Sequence, residues 1–202
     1  MDLGIKLGPN FTLLELLDSQ IAQRHPDIWK EQMNPPECVV GCLQNLVTHC
    51  IQVARTEIGF PIMVSSGWRC PSLNEKVGSE PTSQHLKGQA ADLVLPRSFL
   101  ASKEPGVLRL RQHIERRVQD LTGAGIRQDV GSNFYLWAYL VLNRERLRID
   151  QVIHEFGSGP GQPGWIHVSS VPGSVGRQKL TALGGWVKNS PRSVEEALSY
   201  GT

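Results

Sequence analysis

Apolar residues recur at three- and four-residue spacing between Glu37 and about Gly59, at Val40, Leu43, Leu46, Val47, Ile51, Ala54 and Ile58. That period marks a helix lying on a core, and Gly59 provides its stop. A second amphipathic helix is expected from Pro105 to about Leu121. There Leu108, Leu110 and Ile114 alternate with Arg109, Arg111, Arg116 and Arg117, which read as its wetted basic face. A third is expected from Asn133 to about Arg146, where Tyr135, Leu136, Trp137, Tyr139, Leu140 and Leu142 cluster. Nearer the start, Thr12 followed by Glu15 has the form of a capping box opening a short helix through about Ser19. His25-Pro26 and Asn34-Pro35-Pro36 read as turns.

Four segments read as strands: 61–66, 90–95 (stopped by Pro96), 151–156 and 165–169. The last two are joined by the glycine- and proline-rich stretch Gly157–Gly164. Gly67–Gly88 is irregular, and beyond Val171 the signals are weak apart from a turn or two of helix at Val194–Tyr200. The expected fold class is α+β, an antiparallel β-sheet packed by helices with irregular loops at one end. No internal repeat or linker divides the chain. Its 202 residues therefore suit a single domain, with a core at about 11–170 and a C-terminal extension at 171–202.

Composition narrows the function. Hydrophobic residues make up 40%, enough for a proper core. With 21 basic against 19 acidic residues, the net charge of +2 lacks the concentrated excess that a nucleic-acid groove needs. The start, Met1-Asp2-Leu3, has no basic segment ahead of an apolar one. It does not read as a secretory signal, and Leu13–Leu17 is too short to span a bilayer. Cys38, Cys42, Cys50 and Cys70 include no C-x-x-C pair. They read as small buried thiols in a reducing compartment, although His49 beside Cys50 leaves a second zinc site conceivable.

The most informative stretch is Ser83-Gln84-His85-Leu86-Lys87-Gly88-Gln89-Ala90-Ala91-Asp92. An imidazole and a carboxylate are ordinary zinc donors, and Gly88 permits the sharp turn that would let them converge. Asp92 enters an otherwise apolar strand, where a charge is costly unless compensated. A polar loop histidine beside a surface aspartate is the plain alternative. His167, in Trp165-Ile166-His167-Val168-Ser169, is the third candidate: on a strand it shares a face with Trp165 and Ser169, while Ile166 and Val168 take the other. Standing alone it would read as a satisfied histidine. If strands 151–156 and 165–169 pair as a hairpin centred near Gly161, Glu155 falls directly opposite His167. It is then placed as a hydrolytic general base. His154 would point to the opposite face and is not counted as a ligand.

Ser66-Gly67-Trp68-Arg69, Ser83-x-His85-x-x-Gly88-x-Ala90-x-Asp92 and Trp165-x-His167 together resemble the zinc D-Ala-D-Ala carboxypeptidase/endopeptidase family. The likeness is to its phage and bacterial branch, of the lysostaphin, D-Ala-D-Ala peptidase and hedgehog superfamily, and it covers roughly Phe11 to Ser170. The resemblance implies His85, Asp92 and His167 as zinc ligands. It implies Arg69 as a stabiliser of the oxyanion or a grip on a substrate carboxylate, and Ser83 as a hydrogen-bonding partner of substrate or a loop-shaping residue. Many relatives carry an acid just ahead of the last histidine ligand, where Gly164 stands here, so Glu155 is the expected substitute.

The expected activity is zinc-dependent hydrolysis of an amide bond in bacterial peptidoglycan, as a carboxypeptidase or an endopeptidase. Without a secretion signal, delivery as a phage lysin through a holin or in a virion is expected, with action at the cell wall. Two rivals remain: a non-catalytic zinc-stabilised binding or structural module, and a dipeptidase with a small closed pocket.

Overall fold

The computed structural model describes residues 4–159, 161–173, 179–184, 188–189 and 193–202, the side chains of 179–184 and 188–189 excepted. A hairpin of β1 (Lys6–Gly8) and β2 (Phe11–Thr12) runs directly into α1 (Leu13–Leu17). The expected capping box is formed: Thr12 N–H donates to Glu15 Oε2 (2.7 Å), and Glu15 N–H donates to Thr12 Oγ1 (3.3 Å). α2 (Gln20–Gln23) and α3 (Pro26–Gln32) follow. Pro26 thus opens a helix where a turn was expected, because at the first helical position its missing N–H is not needed.

The long apolar period divides into α4 (Glu37–Leu46), a π turn (Val47–Ile51) and α5 (Gln52–Ile58). The buried positions Val39, Leu43, Val47, Ile51, Ala54 and Ile58 recur slightly more widely than the ~3.6 residues of a regular turn. The π turn absorbs the extra residue and keeps one stripe facing inward. Gly59, at φ 65°, ends the run as expected.

β3 (Met63–Ser66) leads into α6 (Pro71–Lys76), a 3₁₀ turn (Gln84–Lys87) and β4 (Ala90–Val94). The stretch read as irregular therefore holds two helical pieces. α7 (Ser98–Ala101), α8 (Pro105–Thr122) and α9 (Ser132–Leu142) come next. β5 (Gln151–Gly157), β6 (Trp165–Ser169), β7 (Lys179–Gly184), β8 (Lys188–Asn189) and α10 (Val194–Leu198) complete the order.

The main sheet has the strand order β3-β4-β6-β5-β7-β8. It is antiparallel from β3 to β5 and again between β7 and β8, with β5 and β7 running parallel. The α+β reading holds, and the tail adds two strands that no sequence signal announced. On one face Ala91, Leu93, Val152, His154, Ile166 and Val168 are buried. Helix α9, buried from Ser132 to Val141, lies against this face, its Trp137 ring meeting His154 edge-on at 5.7 Å. His154 is thus on the side away from Asp92, as strand alternation required.

All four cysteines are free; Cys50 and Cys70 are buried, Cys42 half-buried and Cys38 exposed. Burial pushes the Cys50 thiol up to about 12, well away from reactivity. Among the described residues no helix is long and apolar enough to cross a membrane.

Candidate metal centre

The opposite face of the sheet carries the polar residues. Ser66 on β3, Asp92 on β4 and His167 on β6 form one cross-strand row, with Ile153 on β5 at its end. His85 enters from the 3₁₀ turn beside them. Two features hold that turn in place. Ser83 Oγ accepts the His85 N–H (3.3 Å), and Gly88 closes the turn at φ 66°. A Cβ on Gly88 would lie 2.7 Å from the Val39 carbonyl, so no other residue fits there. Ser83 therefore shapes the loop, and with His85, Asp92 and His167 it also lines an open cleft on this face.

His85 Nε2, His167 Nδ1 and Asp92 Oδ1 form a nearly equilateral triangle with edges of 3.1, 3.0 and 3.2 Å. All three residues are buried, and among the described residues this is a group whose donor atoms could hold a metal ion. Tetrahedral zinc with bonds of about 2.0–2.1 Å requires donor separations of about 3.3 Å. Tautomer chemistry points the same way. His85 Nδ1–H donates to the Gly67 carbonyl at 2.6 Å, the outward hydrogen bond that orients a metal-ligating imidazole and leaves Nε2 as its donor atom. Lone pairs from three donors facing one point call for a cation there. These donors fit zinc.

Arg69 is occupied by this centre. Its Nη2 donates to Asp92 Oδ2 at 2.7 Å and its Nε to Ser66 Oγ at 2.9 Å, which leaves Asp92 Oδ1 aimed at the two imidazoles. Burial opposes charge on Asp92, yet the His85 and His167 imidazoles outweigh it and hold the carboxyl well below its usual range. His167 Nε2 is buried without a hydrogen-bond partner.

The loop bearing Arg69 is pinned by a residue with no motif around it. Gln32, fully buried at the end of α3, donates from Nε2 to the carbonyls of Leu17 (2.8 Å) and Trp68 (2.7 Å). Its Oε1 accepts the Cys70 N–H at 2.8 Å. Only the polarity of Gln32 within a helical stretch could have hinted at it.

The hairpin register corrects one expectation. Glu155 pairs with Trp165, and Ile153 is the residue opposite His167. The turn closes tighter than a centre at Gly161 allows, because Gly164 N–H donates to the Glu155 carbonyl at 2.7 Å. Asn133 Nδ2 also clamps the Pro163 and Gly164 carbonyls from the start of α9. The slip is two residues, so parity is kept and Glu155 stays on the His167 face, diagonal to it. Burial and the Asp92 charge raise its carboxyl, with His167 and Arg69 pulling the other way. At Gly164 a Cβ would lie 2.7 Å from the Phe156 carbonyl, so this backbone has no room for the acid that many relatives place there.

Residues 17–103 match the family model described as peptidase M15. That model is of the zinc D-Ala-D-Ala carboxypeptidase-like peptidases. An M15 match implies a hydrolase with a peptide substrate. It includes Arg69, Ser83, His85 and Asp92 and ends ahead of Glu155 and His167, whose place beside them comes from the sheet. No curated protein matches the chain.

Proposed function

We propose that this chain is a zinc peptidase that cleaves an internal amide bond in the peptide part of peptidoglycan. The observation that carries the reading is the three-donor triangle on the floor of an open cleft of about 1970 Å³, with Glu155 on the same wall. His85, Asp92 and His167 would hold the zinc. Bound there, it would polarise the scissile carbonyl and lower the pKa of a water molecule. Glu155 accepts the proton of the attacking water and passes it to the leaving amine. Arg69 holds Asp92 in place through Oδ2, and its guanidinium also lines the cleft, where it would face the developing oxyanion. Ser83 keeps His85 in its turn and offers a polar contact to substrate.

The size and openness of the cleft favour a polymer over a free dipeptide, which needs a small closed pocket. Gly164 favours one rival, a zinc-stabilised module without catalysis. Zymography on purified walls separates the two. Zinc-loaded wild type should clear the wall, and Glu155→Gln should lose roughly 10²–10⁴-fold in rate while keeping its metal. Zinc-loaded wild type inert on walls of several chemotypes would leave the module.

A further inference from the structure

Phe156 departs from two rules at once. Strand alternation assigns it to the His154 side of β5, against the helix layer. Instead its backbone takes φ 41°, in the left-handed region that non-glycine residues avoid. Its ring lies tilted over Trp165 on the cleft side, with centroids 5.3 Å apart and planes at 33°. It is the most exposed large apolar side chain among the described residues, at 59%. A strained backbone and a wetted aromatic ring each cost stability, and such costs gather at functional sites.

The surroundings say what the ring is for. Phe156 and Trp165 both line the cleft, and Phe156 directly follows Glu155. The ring and the proton acceptor therefore leave β5 from consecutive residues and line the same cleft. The segment carrying it is held firmly: Gly131 N–H donates to the Gly161 carbonyl at 3.0 Å, and Asn133 clamps 163 and 164. Other apolar groups left exposed in the same cleft, Ile21, Met63 and Val77, belong to α2, β3 and the end of α6. The strand order puts β3 and β5 on opposite sides of β4 and β6, which carry Asp92 and His167. The apolar supports thus flank the metal centre on both sides.

We propose that Phe156, braced by Trp165, is a specificity-determining shelf. It packs the aliphatic side chain of the substrate residue that supplies the leaving amine. Glu155 protonates that amine, so its neighbour on β5 meets the same residue. This rests on the peptidase reading above, and the test separates the two.

Soluble cross-linked muropeptides are supplied to zinc-loaded wild type, Phe156→Ala, Phe156→Trp and Phe156→Gly, with either alanine or glycine as the leaving residue. Phe156→Ala and Phe156→Gly should raise KM on the order of tenfold for the alanine substrate, with kcat nearly unchanged. The glycine substrate should be affected less, and Phe156→Trp should restore binding. Phe156→Gly should not lower Tm, because glycine accepts this φ. In parallel, the same muropeptides are titrated calorimetrically into zinc-loaded Glu155→Gln with and without Phe156→Ala. An unchanged KM in an active Phe156→Ala enzyme overturns the shelf and leaves the peptidase standing. Wild type that cleaves nothing, while binding to Glu155→Gln still weakens on loss of Phe156, overturns the peptidase reading and leaves Phe156 as a binding contact with no leaving residue to select.

Discussion

The two faces of the main sheet use the same strands in opposite ways. On the back, Ala91, Leu93, Ile166 and Val168 are sealed against helices, and any apolar residue of the right volume would serve there. On the front, Asp92 and His167 alternate with those same residues and are almost equally buried, at 5% and 7% exposed. Arg69 and the two imidazoles compensate the buried Asp92 carboxylate, and the Gly67 carbonyl in turn fixes the His85 ring. Burial alone therefore does not distinguish core from site. What distinguishes them is whether the buried atoms face apolar partners or converge on a point that needs a cation.

Substitutions on the two faces should separate stability from metal binding. The largest effect is expected at the front. His85→Ala should reduce zinc from one per chain to none by elemental analysis and abolish wall hydrolysis, with the far-UV spectrum retained. On the back, Leu93→Ala should cost about 2–5 kcal/mol in urea unfolding while the folded protein keeps its zinc. If Leu93→Ala lost metal as readily as His85→Ala, the two faces would not be separable. Gly164→Glu tests the boundary between them. The added side chain meets the Phe156 carbonyl, so it should destabilise by about 1–3 kcal/mol and fail to restore hydrolysis to Glu155→Gln. Rescue by that pair would show that the hairpin has room for the relatives' acid.

The smallest effect lies away from the cleft. Arg146 grips Glu57 with two bonds of 2.7 Å, and Tyr139 adds a third of 2.7 Å. Those Arg146 bonds lower the Glu57 pKa against a smaller opposing effect of burial. A carboxyl lowered in the folded state contributes stability above its unfolded pKa, and this is lost as pH falls through the lower folded value. Glu57→Gln should therefore cost at most about 1 kcal/mol at neutral pH, since the pair is exposed. In urea titrations the difference from wild type should disappear under acid.

Much of the fold was legible because local rules act on neighbouring residues. The capping box at Thr12 and Glu15, the stop at Gly59 and the four strands of the sheet's antiparallel part all follow from short-range pattern. Pro26 misled because proline punctuates both turns and helix starts, and only the partners of the next turn decide between them. β7 and β8 were missed because β7 is recruited by an existing edge, where backbone bonds to β5 matter more than side-chain period. Gln32 was invisible for a related reason: its partners at Leu17, Trp68 and Cys70 come from three separate segments.

For the site, the sequence by itself determined which donors were available: two imidazoles and a carboxylate on or beside strands, and a glycine where an acid was expected. Donor chemistry is a property of residue type, and strand parity survives any shift by two. Tertiary structure decided the rest. It set the 3.0–3.2 Å triangle, the commitment of Arg69 to Asp92, the diagonal place of Glu155 and the turn of Phe156 into the cleft. Each of these depends on register and loop closure, which are fixed by clamps such as Asn133 from segments remote in the chain.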